Sequence, residues 1–263
     1  MNDIIYHAID FNALYRARRD ASDTQNKPRT CWDQRAEQFA KRTRNSRYNK
    51  QFLDAISLEA CRDALDVGCG TGNLAIPLAS SLAHVYALDF SAAMLTHLQE
   101  AAGEAAVTNI TPVHRSWEDS WDDLPKTDLV IASRSTEVED MQKALMKLDA
   151  HAKRRVYLTY KVGGTFLPPE IYEVLGREYR PKPDYIYVLN ILYQMGITAT
   201  LSFIDSEPQM GGIDDPSRFV ERVRWSVSDL SAAEETRLFD AFEDLRPYIN
   251  TPARWALIGW EKP

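Results

Sequence analysis

A chain of 263 residues, 44% of them hydrophobic and 26% charged, has room for one large domain and the composition of a globular one. No apolar run approaches the roughly 20 residues that cross a bilayer, and the first twenty residues lack the basic-then-apolar order of a secretory leader. A net charge of −7 argues against a general nucleic-acid binder, and three cysteines without CxxC spacing argue against a disulfide framework or a zinc site. A cytoplasmic setting fits best.

Residues 1–50 read as a helical cap with a loop near SDTQNKPRT, where Pro28 breaks the pattern. This segment carries 11 Lys/Arg against 6 Asp/Glu, which suits either a solvated helical face or an arm that approaches an anionic acceptor. Trp32, Arg35 and Phe39 share helical spacing and could close a site from one side. Residues 51–263 then alternate apolar strands with amphipathic helices, the pattern of a mostly parallel sheet covered on both faces. Strands are predicted at 63–68, 84–89, 109–114, 127–133, 153–160, 197–204 and 254–260. Helices are predicted at 72–83, 91–103, 137–151 and, in broken form, 169–195. Thr136 with Glu139 and Ser231 with Glu234 each fit a capping box. Two stretches, about 162–196 and 205–252, exceed what a crossover needs. They are too apolar and periodic for disorder and are expected to form lid insertions over the ligand edge of the sheet.

The first strand runs into ALDVGCGTGNL, residues 64–74. Three alternating glycines, Gly68, Gly70 and Gly72, exceed the needs of a plain strand-to-helix turn and allow a ligand close to the backbone. Their spacing is GxGxG, not the GxGxxG of a dinucleotide fold. Asp66, two residues before the first glycine, would repel a pyrophosphate and attract a cation. Asp89 ends the second strand 23 residues later, the separation at which a carboxylate meets a ribose diol. A ribose with a cationic amino-acid tail and no phosphate describes S-adenosylmethionine.

The blocks ALDVGCGTGNLAIPLA, VYALDFSAAML and TDLVIASRS resemble the core of class I S-adenosylmethionine-dependent methyltransferases, of the small-molecule type with a type 11-like domain. The resemblance implies a Rossmann-like, seven-stranded α/β sheet with helices on both faces. It implies that Asp66 reaches the methionine ammonium over a bed shaped by Gly68, Gly70 and Gly72. Asp89 would accept the ribose hydroxyls, while Phe90 and Met94 would pack on the adenine. Glu118 or Asp119 in SWEDSW would read the adenine amine, with Trp117 as a stacking wall. Ser133 and Arg134 would flank the methionine and the transferable methyl.

The acceptor is approached mostly by exclusion. The turn ASRST lacks the Asn-Pro-Pro-Tyr pattern of base amino-methylation, no cysteine follows Cys69 for cytosine C5 chemistry, and no CxxxCxxC supports radical chemistry. No metal site and no confident histidine base is expected. Arg134, Tyr160, Lys161 and the lid tyrosines, Tyr193 among them, are the candidate acceptor residues, suited to an anionic or aromatic metabolite. The alternatives are methylation of RNA or protein through the basic arm, and a module that binds the cofactor without turnover.

Overall fold

The computed structural model describes residues 6, 8–22, 32–33, 36–37, 46–165, 167–208, 210–227 and 229–263. The expected loop at 22–30, Arg35 and Phe39 lie outside the described residues, except for Ser22 at that loop's start. Ahead of the sheet come α1 (Phe11–Asp20) and α2 (Arg47–Ala55). The alternation that follows is β1 (Asp63–Val67), α3 (Ala75–Ala79), β2 (His84–Asp89), α4 (Ala92–Glu104), β3 (Ile110–His114), β4 (Thr127–Ala132), α5 (Met141–His151) and β5 (Ala152–Lys161). The chain then forms α6 (Pro169–Leu175), α7 (Tyr185–Gln194), β6 (Thr200–Pro208), α8 (Pro216–Ser226), α9 (Ala232–Asp240), α10 (Phe242–Ile249) and β7 (Pro252–Glu261).

The seven strands make one sheet in the order β3-β2-β1-β4-β5-β7-β6. All pairs from β3 to β5 are parallel, and β7 runs antiparallel between β5 and β6. This is the Rossmann-like sheet implied by the motifs. Parallel strands need crossovers that cover both faces, so runs such as Leu129–Ala132 are apolar on both sides. One face packs Leu65, Val67, Val130, Val156 and Leu158 against α5 and α7, with Tyr15 of α1. The other packs Ala64, Val85, Ala87, Leu129 and Ile131 against Tyr48 and Phe52 of α2, Leu78 of α3 and Leu95 and Leu98 of α4.

α2 is tied to the edge strand by its own side chain. Gln51 donates to Asp205 O and accepts from Asp205 N, at 3.2 and 3.1 Å, so the helix covers β6 and Tyr48 is carried over the sheet. A third apolar cluster lies outside the sheet. It joins Leu167, Ile171, Tyr172 and Leu175 around α6 to Phe219, Val223, Leu238, Phe242 and Leu245 of α8, α9 and α10. Arg177 donates twice to the Glu234 carboxylate, at 2.5 and 3.0 Å, and Arg237 donates to the carbonyls of Val174 and Leu175. The stem of the α6 excursion is closed by Lys182 N–H on Gly164 O and Gly163 N–H on Asp184 Oδ2.

Local readings are corrected in four places. Thr136 and Glu139 make no capping box: α5 begins at Met141 under Asp140, which accepts from Lys143 N–H, and the Thr136 hydroxyl instead donates to Thr159 O. Ser231 and Glu234 do make one. α3 has only five residues because the glycine turn consumes the start of the expected helix. β6 starts three residues later than expected and runs on to Pro208, since its pairing with β7 and cover from α2 stabilise what reads as insertion sequence. α7, read as part of one lid segment, packs Val188, Ile191 and Leu192 into the main core, because its apolar side matches that face of the sheet.

Candidate functional site

The order of the sheet reverses between β1 and β4, and in open parallel sheets ligands bind beyond the carboxyl ends at such a point. Three glycines follow β1 there, all with positive φ, but they do different things. A Cβ on Gly68 would lie 2.2 Å from Ser135 Cβ, and one on Gly72 would meet Leu98 and Ile76 at 3.0 and 3.1 Å. These two admit the β4 loop and the α3–α4 packing. A Cβ on Gly70 would have nothing within 4 Å, so Gly70 alone presents open space. Its N–H donates to Asp89 Oδ2 at 2.8 Å.

Asp66 is 2% exposed, and its Oδ2 has no hydrogen-bond partner. Thr71 Oγ1 is also buried without one. Burial, reinforced by the neighbouring Asp89 charge, pushes the Asp66 carboxyl up to about 7. A buried carboxylate atom without a donor costs roughly 1–3 kcal/mol or more, so the arrangement asks for a cationic donor. Asp89 is also buried, which raises its pKa, although Gly70 N–H and Ser91 N–H bond its two oxygens and pull the other way. Ser91 caps α4 by accepting from Met94 N–H and donates to Asp33 Oδ1 at 2.5 Å. The N-terminal segment therefore reaches the same edge. Phe90 is half-buried, its carbonyl accepting from His114 Nε2, and Met94 is buried in the first turn of α4.

Beyond β3, the Trp117 indole donates to Ser135 O at 2.9 Å, tying this loop to the loop after β4. Glu118 and Asp119 are both exposed, and Asp119 Oδ2 accepts from Ser116 N–H. Lys147 Nζ donates to the carbonyls of Trp117 and Asp119 and holds the turn from below.

Past β4, the Tyr48 hydroxyl lies 2.7 Å from both Ser133 Oγ and Thr159 Oγ1. Arg134 has φ +56°, a left-handed conformation that costs a non-glycine residue about 1–2 kcal/mol. Its N–H donates to Thr159 Oγ1, and its guanidinium lies 4.2 Å from the centroid of the Tyr48 ring. Burial lowers the Arg134 pKa, and a cation over a desolvated ring gains only about 2 kcal/mol. Lys161, at the end of β5, is pulled down to about 8 by burial and donates to Val162 O.

Two of the sequence candidates do not come to this edge. Strand alternation turns Tyr160 onto the face opposite Thr159, where its hydroxyl meets Tyr15 OH. Tyr193 is eight residues along α7 from Tyr185, about 12 Å down the helix, 62% exposed and edge-on to Tyr6. Among the lid tyrosines, Tyr172 is buried in the cap cluster against Tyr179, and Tyr185 packs on Phe203. Tyr48, Thr71, Ser91 and Thr159 were not anticipated. A Tyr48–Phe52 pair at helical spacing marked a docking face, but not which strand ends it would cover.

Residues 64–155 match the family described as Methyltransferase domain. Over 259 residues the chain is 39% identical to an uncharacterized protein of Haemophilus influenzae, with 96% of each chain covered. The chain belongs to the class I S-adenosylmethionine-dependent methyltransferases. Among solved structures, this methyltransferase is similar to the YcgJ protein of Bacillus subtilis, at 14% identity, 82% of this chain and 97% of that one, with a TM-score of 0.57. It is also similar to phosphoethanolamine N-methyltransferase 2 of Haemonchus contortus in complex with S-adenosyl-L-methionine, at 19% identity and a TM-score of 0.57. That match covers 97% of this chain, which spans 60% of the Haemonchus chain. At these identities the likeness concerns the fold. Among the described residues, no group of three or more metal-ligating side chains occurs, and no helix is long and apolar enough to cross a membrane.

Proposed function

We propose that this methyltransferase transfers the methyl group of S-adenosylmethionine to a small molecule held between the β4–β5 edge and the helical cap. Asp66 carries the cofactor half of this reading. Its buried, donorless oxygen belongs to the strand that leads into the glycine loop, where Gly70 alone of the three opens on free space, and a ligand ammonium supplies both a donor and a charge. The Asp89 carboxylate is held by the backbone amides of Gly70, Ser91 and Phe90 and, in this reading, meets the ribose hydroxyls with its remaining acceptor capacity. Phe90 and Met94 serve the adenine side, with Trp117 as the wall. Glu118 or Asp119 meets the adenine amine in this reading, Asp119 also accepting from Ser116 N–H of its own loop. Ser133 stands next to the transferable methyl.

When bound, the cofactor supplies an electrophilic methyl on a sulfonium. The work left to the chain is to hold the two reactants in line and exclude water, which can supply much of the rate without a dedicated base. Asp33, bonded by Ser91, and the joined cap of α6 and α8–α10 flank the site in this reading. The acceptor carries an anionic or aromatic group.

Incubation with methyl-labelled cofactor and a fractionated cell extract tests the proposal. Label in the small-molecule fraction is expected. Label in RNA or protein would overturn the acceptor class, and cofactor affinity without turnover on any fraction would leave a binding module.

A further inference from the structure

Arg134 is held more firmly than a surface arginine needs to be. Its left-handed backbone is pinned by the Thr159 hydroxyl, the preceding Ser133 is fixed by the Tyr48 hydroxyl, and the same hydroxyl bridges to Thr159. The Tyr48 ring fixes the guanidinium at 4.2 Å. Yet no carboxylate among the described residues lies within ion-pair distance of it. Glu207, the acid whose charge it feels, has a carboxylate oxygen engaged by Arg47 N–H at 2.6 Å. A strained, aimed and half-buried guanidinium has no carboxylate of the described residues to compensate its partial burial.

The position argues for the acceptor side. Thr159 belongs to β5, two strands from β1, or about 10 Å across the sheet. Ser135 fills the space at Gly68 and donates to Val67 O, so it stands between the glycine loop and the arginine. We propose that Arg134 binds a carboxylate or phosphate of the methyl acceptor, with Tyr48 as its positioning residue. The substrate class is then a small oxyanion-bearing molecule, recognised through the paired donors of the guanidinium fork. This inference rests on the methyl-transfer reading above.

The test uses the full chain saturated with S-adenosylhomocysteine and titrated separately with inorganic phosphate and acetate, followed by NMR. Saturable binding of at least one anion is expected, weakened about tenfold or more in Arg134→Gln while calorimetric affinity for S-adenosylhomocysteine stays within about twofold. Tyr48→Phe keeps the ring and retains anion binding. Tyr48→Leu loses it with the nucleoside affinity intact, a split that simple misfolding would not produce, and thermal melts report the folding of each variant. Two results would overturn the assignment: anion binding that is absent in wild type or unchanged in Arg134→Gln, or a tenfold fall in nucleoside affinity in that variant, which would give the arginine to the cofactor's own carboxylate. Failure of wild type to bind S-adenosylhomocysteine at all would instead strike the methyl-transfer reading itself.

Discussion

Replacing Gly68 with alanine would set a methyl carbon 2.2 Å from Ser135 Cβ, at a backbone φ of +72°. The left-handed conformation costs a side chain about 1–2 kcal/mol, and overpacking against a fixed neighbour adds about 1–3 kcal/mol. Ser135 must yield, and with it the hydroxyl bond to Val67 O at 2.6 Å. A total loss of about 2–5 kcal/mol lowers the melting temperature by about 5–15 °C in a chain of this size. Gly70→Ala meets only the conformational cost, since nothing lies within 4 Å of its Cβ position. It should cost about 1–2 kcal/mol of stability, yet obstruct the cofactor. Urea denaturation and calorimetry with S-adenosylhomocysteine on both variants separate the two effects. If Gly70→Ala bound the nucleoside as wild type does, or if both variants lost the same stability, the division of the loop into packing and ligand positions would be wrong.

Asp66 sets a pH dependence. Its carboxyl keeps a proton in the fold up to about pH 7 but only to about 3.8 when unfolded, so the ligand-free fold binds more protons in that window and loses stability as pH rises through it. An ammonium ligand favours the ionised form, so affinity for S-adenosylhomocysteine should climb with pH and flatten above about 7. Asp66→Asn should remove that slope in calorimetric titrations. Glu234 behaves oppositely: its Arg177 partner and the Ser231 donors hold it down to about 2, so its contribution is lost as pH falls through the carboxylate range toward that value. Arg177→Met should loosen the cap, raising hydrogen exchange in α6 and α9 while the strands of the sheet stay protected. Trp117→Phe removes the indole bond to Ser135 O and should weaken nucleoside binding by several-fold, about 1 kcal/mol, with little effect on the melting temperature.

Much of the sheet was legible because buried parallel strands such as Leu129–Ala132 are unbroken apolar runs set between helical periods. The two acids could be placed because Asp66 is next to last in β1 and Asp89 is last in β2, where alternation fixes the face. What stayed hidden depends on contacts remote in sequence. Thr136 looked like a cap until Thr159, 23 residues on, took its hydroxyl. Gly68 looked like a ligand glycine, yet the atom that excludes a side chain there belongs to Ser135, across the sheet. Tyr48 reads as one apolar position on a short helix, and only the anchoring of Gln51 to Asp205 aims it at Ser133 and Arg134. Tyr193 failed for a simpler reason: composition placed it in a lid, and helix geometry carried it to the far end of α7.

The position of β7 has a consequence for how the chain is made. Both of its neighbours, β5 and β6, are synthesised before it, and neither can pair with the other across the gap it fills. Until Pro252–Glu261 leaves the ribosome, β6 has no ladder at all. The nascent chain thus carries an unpaired β5 edge and an unpaired β6 until that last strand emerges, and such edges are open to pairing with other chains.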